Sequence, residues 1–196
     1  MNEKANEYSW FPLIVVACAS FIIVLDSFFM NVSISRIVVD LNADVSTIQM
    51  IVSFCTLITA ALILFSTKLQ DIVGKKKLFV IGAALFGIGI FAAVLSSSVT
   101  MFFVGWAAIK GVAAALMLPA IVSIISGIYS GRKRTIALAT LGVMAGLADI
   151  LAPLLGVLIT TFFSWRYTFA FELIFILFIL VMQNKIPDFN KCLYFS

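Results

Sequence analysis

Histidine is absent from this chain of 196 residues, and charge is scarce: 11% of the residues are Asp, Glu, Lys or Arg. The first absence removes the commonest catalytic base and metal ligand. The second removes the means of covering a water-facing surface, because a soluble domain carries about a quarter charged residues. Cysteine is nearly missing as well. Cys18 and Cys55 fall within apolar runs and Cys192 lies near the end, with no pairing or metal spacing among them. The first two read as small apolar filler. No nucleophile stands beside a base, and neither a phosphate loop nor a zinc pattern occurs, so no enzyme, cofactor or metal is expected.

Long apolar runs fill the chain, which is 63% hydrophobic. A bilayer core takes about 20 helical residues, and the uncharged runs divide into six such lengths. They are about 10–35, 46–67, 78–95, 101–126, 136–163 and 167–182. The break between the third and fourth falls at SSSVT, Ser96 to Thr100. Only helices or closed barrels satisfy the backbone in lipid, and the runs are continuous rather than alternating, which excludes a barrel. The expected fold is all-α: a polytopic bundle of six transmembrane helices.

Basic residues orient it. With the N-terminus inside, Lys4, Lys68, Lys75, Lys76, Lys77, Arg132, Lys133, Arg134, Lys185 and Lys191 are cytoplasmic, and only Arg36 and Arg166 are outside. That bias follows the positive-inside rule, so both termini, 1–9 and 183–196, should be cytoplasmic in a multi-pass protein of the plasma membrane. The net charge of +4 then sits beside anionic headgroups and argues for no nucleic-acid partner. Glu3, Lys4 and Glu7 do not make the basic start of a secretory signal, so the first span should stay in the membrane.

Four ionisable residues interrupt the spans: Asp26, Lys110, Asp149 and Glu172. Each lies on the order of 10–20 Å from the outer end of its helix, and facing lipid each would cost roughly 3 kcal/mol or more. They should face protein or a watery cavity, and three acids cannot all pair with one base. Ser20, Ser27 and Asn31, with Asp26 and Ser33 nearby, give the first span a broad polar side suited to a cavity wall. A structural aspartate bonded to a neighbouring helix is the simpler alternative. Lys110 is either a switchable partner or a fixed counter-ion for Asp26 or Glu172. Gly142, Gly146, Asp149, Pro153 and Gly156 fall on one stripe of the fifth span, the kind of small-residue stripe that packs helices. Asp149 should therefore point into the bundle, in a structural or a proton-carrying role. The sequence leaves the direction of Glu172 open.

Motifs across these runs resemble the major facilitator superfamily, most of all its fourteen-span drug:proton antiporter branch. LDSFFMNVSISRIVVDLN, Leu25 to Asn42, is similar to the branch's first-span signature LDxTIVNVALPxIxxDL. TKLQDIVGKKKL, Thr67 to Leu78, resembles its loop GxLxDxxGRRxxL, with Asp71, Gly74, Lys75 and Lys76 in place. AAIKGVAAALMLPA, Ala107 to Ala120, resembles the fourth-span RxxQGxGAAxxxPA, but with Ala107 at the arginine and Lys110 at the glutamine. LAPLLGV, Leu151 to Val157, resembles the exporter signature GPxxGG, with Ala152 and Val157 at two glycines. SWRYTFAFEL, Ser164 to Leu173, is similar to SWRWxFxxN, with Glu172 at the asparagine. Trp165 and Tyr167 also suit a membrane interface.

The resemblance implies a proton-coupled carrier that exports drugs or amphiphilic small molecules. Asp26, Asn31, Lys110, Asp149 and Glu172 would lie on the proton and substrate pathway. Asp71, Gly74, Lys75 and Lys76 would form a cytoplasmic gating loop, and Gly142, Gly146, Pro153 and Gly156 a packing face. Such carriers have twelve or fourteen spans in two six-helix halves around a central site. One half is expected here, in a truncated or partial chain, so its partners would be the lipid bilayer, protons, a small-molecule substrate and a missing C-terminal half or a second copy. A non-transporting six-span remnant, a subunit that binds another membrane protein, and half of a solute:proton symporter are the alternatives.

Overall fold

A computed structural model of the chain describes residues 10–186. The segment 1–9 and the tail from 187, with Lys4, Lys191 and Cys192, lie outside the described residues. Among those described, six helices are long and apolar enough to cross a membrane: α1 (Phe11–Asp40), α2 (Val45–Val73), α3 (Lys75–Val94), α4 (Val99–Ile128), α5 (Gly131–Phe162) and α6 (Trp165–Met182). A short 3-10 turn, Gln183–Lys185, comes after them. The chain is an all-α, multi-pass membrane protein.

The helix ends follow from local chemistry. Pro12 sits in the first turn of α1, where its missing N–H is no loss. At the other end Asn42 takes φ 48°, and the Ala43 and Asn42 amides donate to Val38 O (3.0 Å) and Val39 O (3.4 Å). That is a Schellman closure with asparagine in the left-handed position. α2 and α3 meet at a single residue, Gly74, whose φ of 104° only glycine tolerates well. Ser98 caps α4 by accepting from the Met101 amide at 3.3 Å.

α1 is the central helix. It packs on α5 and α6, while α3 packs on α4 and α6, and α2 leans on α4. In the most apolar stretch of α1 61% of the residues are buried, against 17% in α2 and in α5, which places those two at the periphery.

The packing face of α5 corrects the sequence reading. Gly142 and Gly146 have no atom within 4 Å of the position a Cβ would take, Asp149 is exposed and Pro153 is half-buried. Asp149 therefore does not point into this bundle. The buried stripe is Ala137, Leu141, Ala148, Ala152, Gly156 and Thr160. A Cβ on Gly156 would lie 3.3 Å from Phe29 Cδ1 and 3.4 Å from Val32 Cβ. Ala148, Ala152, Gly156 and Thr160 recur at four-residue steps, so of the expected stripe Gly156 is the member that packs, at the edge where the two neighbouring stripes meet. Alanine, like glycine, is small enough to let a neighbouring helix approach, so glycine alone was a misleading guide to the face.

Candidate functional site

Asp26 lies near the middle of α1, about 20 Å from either end, and is 1% exposed. One carboxylate oxygen accepts a hydrogen bond from Trp106 Nε1 at 3.1 Å, and the other forms an ion pair with Lys110 Nζ. Lys110 is 4% exposed. Its ammonium sits 3.5 Å from the centre of the Trp106 ring and 5.9 Å from that of Phe86. One indole thus binds the anion through its N–H and the cation through its face, where the ring quadrupole attracts positive charge.

The backbone of α4 prepares this geometry. From Phe103 to Ile109 it is a π-helix, whose wider turn takes in an extra residue and shifts the register of the helix from Lys110 onward. α3 presses directly on that turn. A Cβ on Gly89 would fall 2.8 Å from Gly105 O and 3.0 Å from Lys110 N, so only glycine lets the backbones meet there. Ala107, at the position of the resembled arginine, is fully buried, and the cation comes instead from Lys110.

Glu172 enters the same cluster from α6. It is 0% exposed, and neither carboxyl oxygen has a hydrogen-bond partner. Phe171 and Phe175, on either side of it, meet Phe29 and Phe21 of α1, which flank Asp26, so Glu172 lies at the level of the pair. Thr168, one turn back, donates to its own helix at Trp165 O.

Beside the pair opens a cavity of about 410 Å³ between α1, α2, α3 and α4. Asp26, Ser27 and Asn31 line it from α1, Cys55, Thr56 and Thr59 from α2, Phe86 from α3, and Trp106 and Lys110 from α4. The neutral polar groups are already engaged. Ser27 donates to Ile23 O (3.3 Å), Asn31 Nδ2 to Ser27 O (2.8 Å) and Thr56 to Val52 O (3.1 Å). Thr59 reaches both Cys55 O (2.9 Å) and Gly111 O (3.1 Å), tying α2 to α4. The charge on the wall is the Asp26–Lys110 pair, and the surfaces around it are apolar and aromatic. Glu172 lies behind the wall, off the cavity lining.

A six-helix fold of this order, with a paired acid and base at its centre, can be compared with known proteins. The sequence profile of the Major Facilitator Superfamily matches residues 16–184. The chain belongs to this superfamily. It is 26% identical to the riboflavin transporter RibZ of Clostridioides difficile, over 82% of this chain and 35% of the relative. It is 31% identical to the multidrug export protein EmrB of Escherichia coli, over 80% of this chain and 30% of the relative. A crystal structure of the peptide transporter POT superimposes with a TM-score of 0.78 at 16% identity, covering 88% of this chain and 37% of that one. The chain spans about a third of the length of the relatives it matches.

In this major facilitator chain the remaining expected residues fall elsewhere. Asp149 stands on the exposed face of α5, apart from the cluster. Asp71 is exposed on the last turn of α2, Gly74 forms the joint, and Lys75 and Lys76, half-buried, begin α3. That loop lies at the opposite end of the bundle from the turn between α3 and α4. Sequence reasoning missed Trp106 and Cys55 in the cavity wall. For Trp106 a signal existed: an indole one turn before an intramembrane lysine.

It also misplaced Trp165. Rather than anchoring at the interface, Trp165 is 2% exposed and donates to Asp40 Oδ2 at 3.0 Å. Arg166 pairs with the same carboxylate, donates to Ser96 O at 2.9 Å, and covers the Trp165 ring at 4.5 Å. This clasp gathers the end of α1, the α3–α4 turn and the start of α6. Tyr167, by contrast, is exposed.

Proposed function

We propose that this chain is the N-terminal half of a proton-coupled exporter of drugs or amphiphilic small molecules, working by antiport in the plasma membrane with both termini cytoplasmic. The observation that carries this reading is the Asp26–Lys110 pair, buried in mid-bundle yet forming part of a cavity wall. A carboxylate there can hold Lys110, a proton or a cationic substrate, one at a time. Phe86 and Trp106 supply flat apolar surface for the rest of an amphiphile. EmrB, a multidrug export protein, is among the relatives.

Alternating access takes two bundles that rock about a shared site. The second bundle, a C-terminal half or another copy of this chain, would close the open side of the cavity. Asp71, Gly74, Lys75 and Lys76 would act as the latch between bundles, with the one-glycine joint at Gly74 letting α2 and α3 change their angle. Asn31, Asp149 and Glu172 complete the assigned pathway. A second reading, solute:proton symport, is favoured by Ala152 and Val157, which stand where the exporter signature has glycines.

Expression of the full reading frame in an efflux-deficient bacterium tests the proposal. Proton-driven export of ethidium is expected, and Asp26→Asn should abolish it while membrane insertion is unchanged. Undiminished export by that variant would remove Asp26 from the mechanism. Uptake that runs with the proton instead would support symport.

A further inference from the structure

Behind the Asp26–Lys110 pair of the cavity wall lies a third titratable side chain, and the three charges do not balance if all are ionised. Asp26 from α1 and Lys110 from α4 neutralise each other. Glu172 from α6 is fully buried, with both oxygens unpartnered. Among the described residues, nothing else on the packed helices can compensate it. α3 carries no ionisable residue from Leu78 to Val94, Asp149 of α5 lies on an exposed face, and Arg166 of α6 is held in the clasp with Asp40. The nearby Cys55 of α2 is a free cysteine and supplies no cation. A second carboxylate buried next to a satisfied pair would be stranded, so one carboxyl of the three-group site holds a proton.

We propose that Glu172 stores the exchangeable proton of this site and is the second seat of Lys110. A monovalent organic cation that pairs with Asp26 from the cavity sends the ammonium to Glu172, which gives up its proton. Before exchange the site holds a carboxylate, an ammonium and a neutral acid. Afterwards it holds Asp26 with the bound cation and Glu172 with Lys110. The O–H bond of Glu172 breaks, the lysine stays protonated, and the site's total charge is zero in both states. Because Glu172 is off the cavity lining, its proton leaves past Asp26. The inference deepens the reading of the Asp26 cavity as a cation and proton site, and rests on it: it names the substrate as a monocation and the coupling as one proton for one cation.

Infrared spectra of the purified chain in lipid nanodiscs test the second seat without any ligand. The wild type should show the carbonyl stretch of a buried, protonated carboxylic acid, and Glu172→Gln should remove it. Asp26→Asn should remove it too, since Lys110 is then left with Glu172 alone and ionises it. Adding Lys110→Met to Asp26→Asn should bring the band back, and it keeps the test valid if the single variant folds poorly. A Glu172 band that survives Asp26→Asn, or none in the wild type, overturns the proposal. Binding of tetraphenylphosphonium tests the exchange. The wild type should release about one proton per cation and bind about tenfold more tightly per unit rise in pH, while Glu172→Gln should bind with no proton release. If the infrared pattern holds but tetraphenylphosphonium does not bind, the exchange and the cavity reading beneath it both fall. Proton release undiminished in Glu172→Gln overturns Glu172 as the store while leaving that reading in place.

Discussion

A charge stranded in a bilayer core is far more costly than a charge pair, and the Asp26–Lys110 contact can be measured through that difference. Lys110→Ala should destabilise the chain by about 3–5 kcal/mol, because it leaves Asp26 buried without its partner. Asp26→Asn, which strands the lysine beside Glu172, should cost less if Glu172 can take the ammonium. The double variant should cost well below the sum of the two, and unfolding in mixed micelles would show it. Independent, additive losses would argue against pairing. Asp26 and Lys110 stood out in the sequence because an ionisable group in a long apolar run has few places to point. Trp106 did not, although it stands one turn before Lys110, because its role shows only once its N–H is seen on a carboxylate. Glu172 was visible as a residue but not as a direction, since its flanking side chains are apolar on every side.

Between α3 and α4 the distance is set by glycine. A methyl group at Gly89 would meet the carbonyl of Gly105 at 2.8 Å, and backbone cannot swing aside as a side chain can. Gly89→Ala should therefore force the helices apart, cost about 1–3 kcal/mol as other overpacking does, and loosen Lys110, whose amide lies at the same contact. Gly142→Ala should do the opposite in this chain. It meets nothing within 4 Å, and replacing a helical glycine gains roughly 0.5–1 kcal/mol. Thermal unfolding of the two variants side by side checks both, and a loss at Gly142 would show that its stripe does pack within the bundle. The six apolar runs made the helices legible, and their ends partly so, through Pro12, Gly74 and the serine turn. The π turn at Phe103–Ile109 left no mark in composition, because it records a fit between α3 and α4 rather than a preference of its own residues. For the same reason the packing face of α5 was misread: which of two neighbouring small-residue stripes is buried depends on where α1 lies.

At the scale of the whole molecule, the exposed faces are as informative as the core. α2 and α5 are mostly unburied, and Asp149 stands on α5 among them. Left facing lipid, that carboxylate would cost roughly 3 kcal/mol or more. On the proposed reading a second six-helix bundle would relieve the cost; this chain covers 30–35% of the relatives. A spin label at Asp149→Cys, with Cys18, Cys55 and Cys192 replaced by serine, tests where the face points. In vesicles holding the complete carrier, the label should be shielded from dissolved oxygen, which concentrates in lipid, and reached by a water-soluble nickel relaxer. A label at Leu177→Cys on α6, 62% exposed in this bundle, should show the reverse. In the purified chain alone, oxygen should reach both. If the Asp149 label in the complete carrier is as open to oxygen as the one at Leu177, the second bundle does not dock on this face of α5. The aspartate must then be solvated by some other means, such as a local thinning of the bilayer.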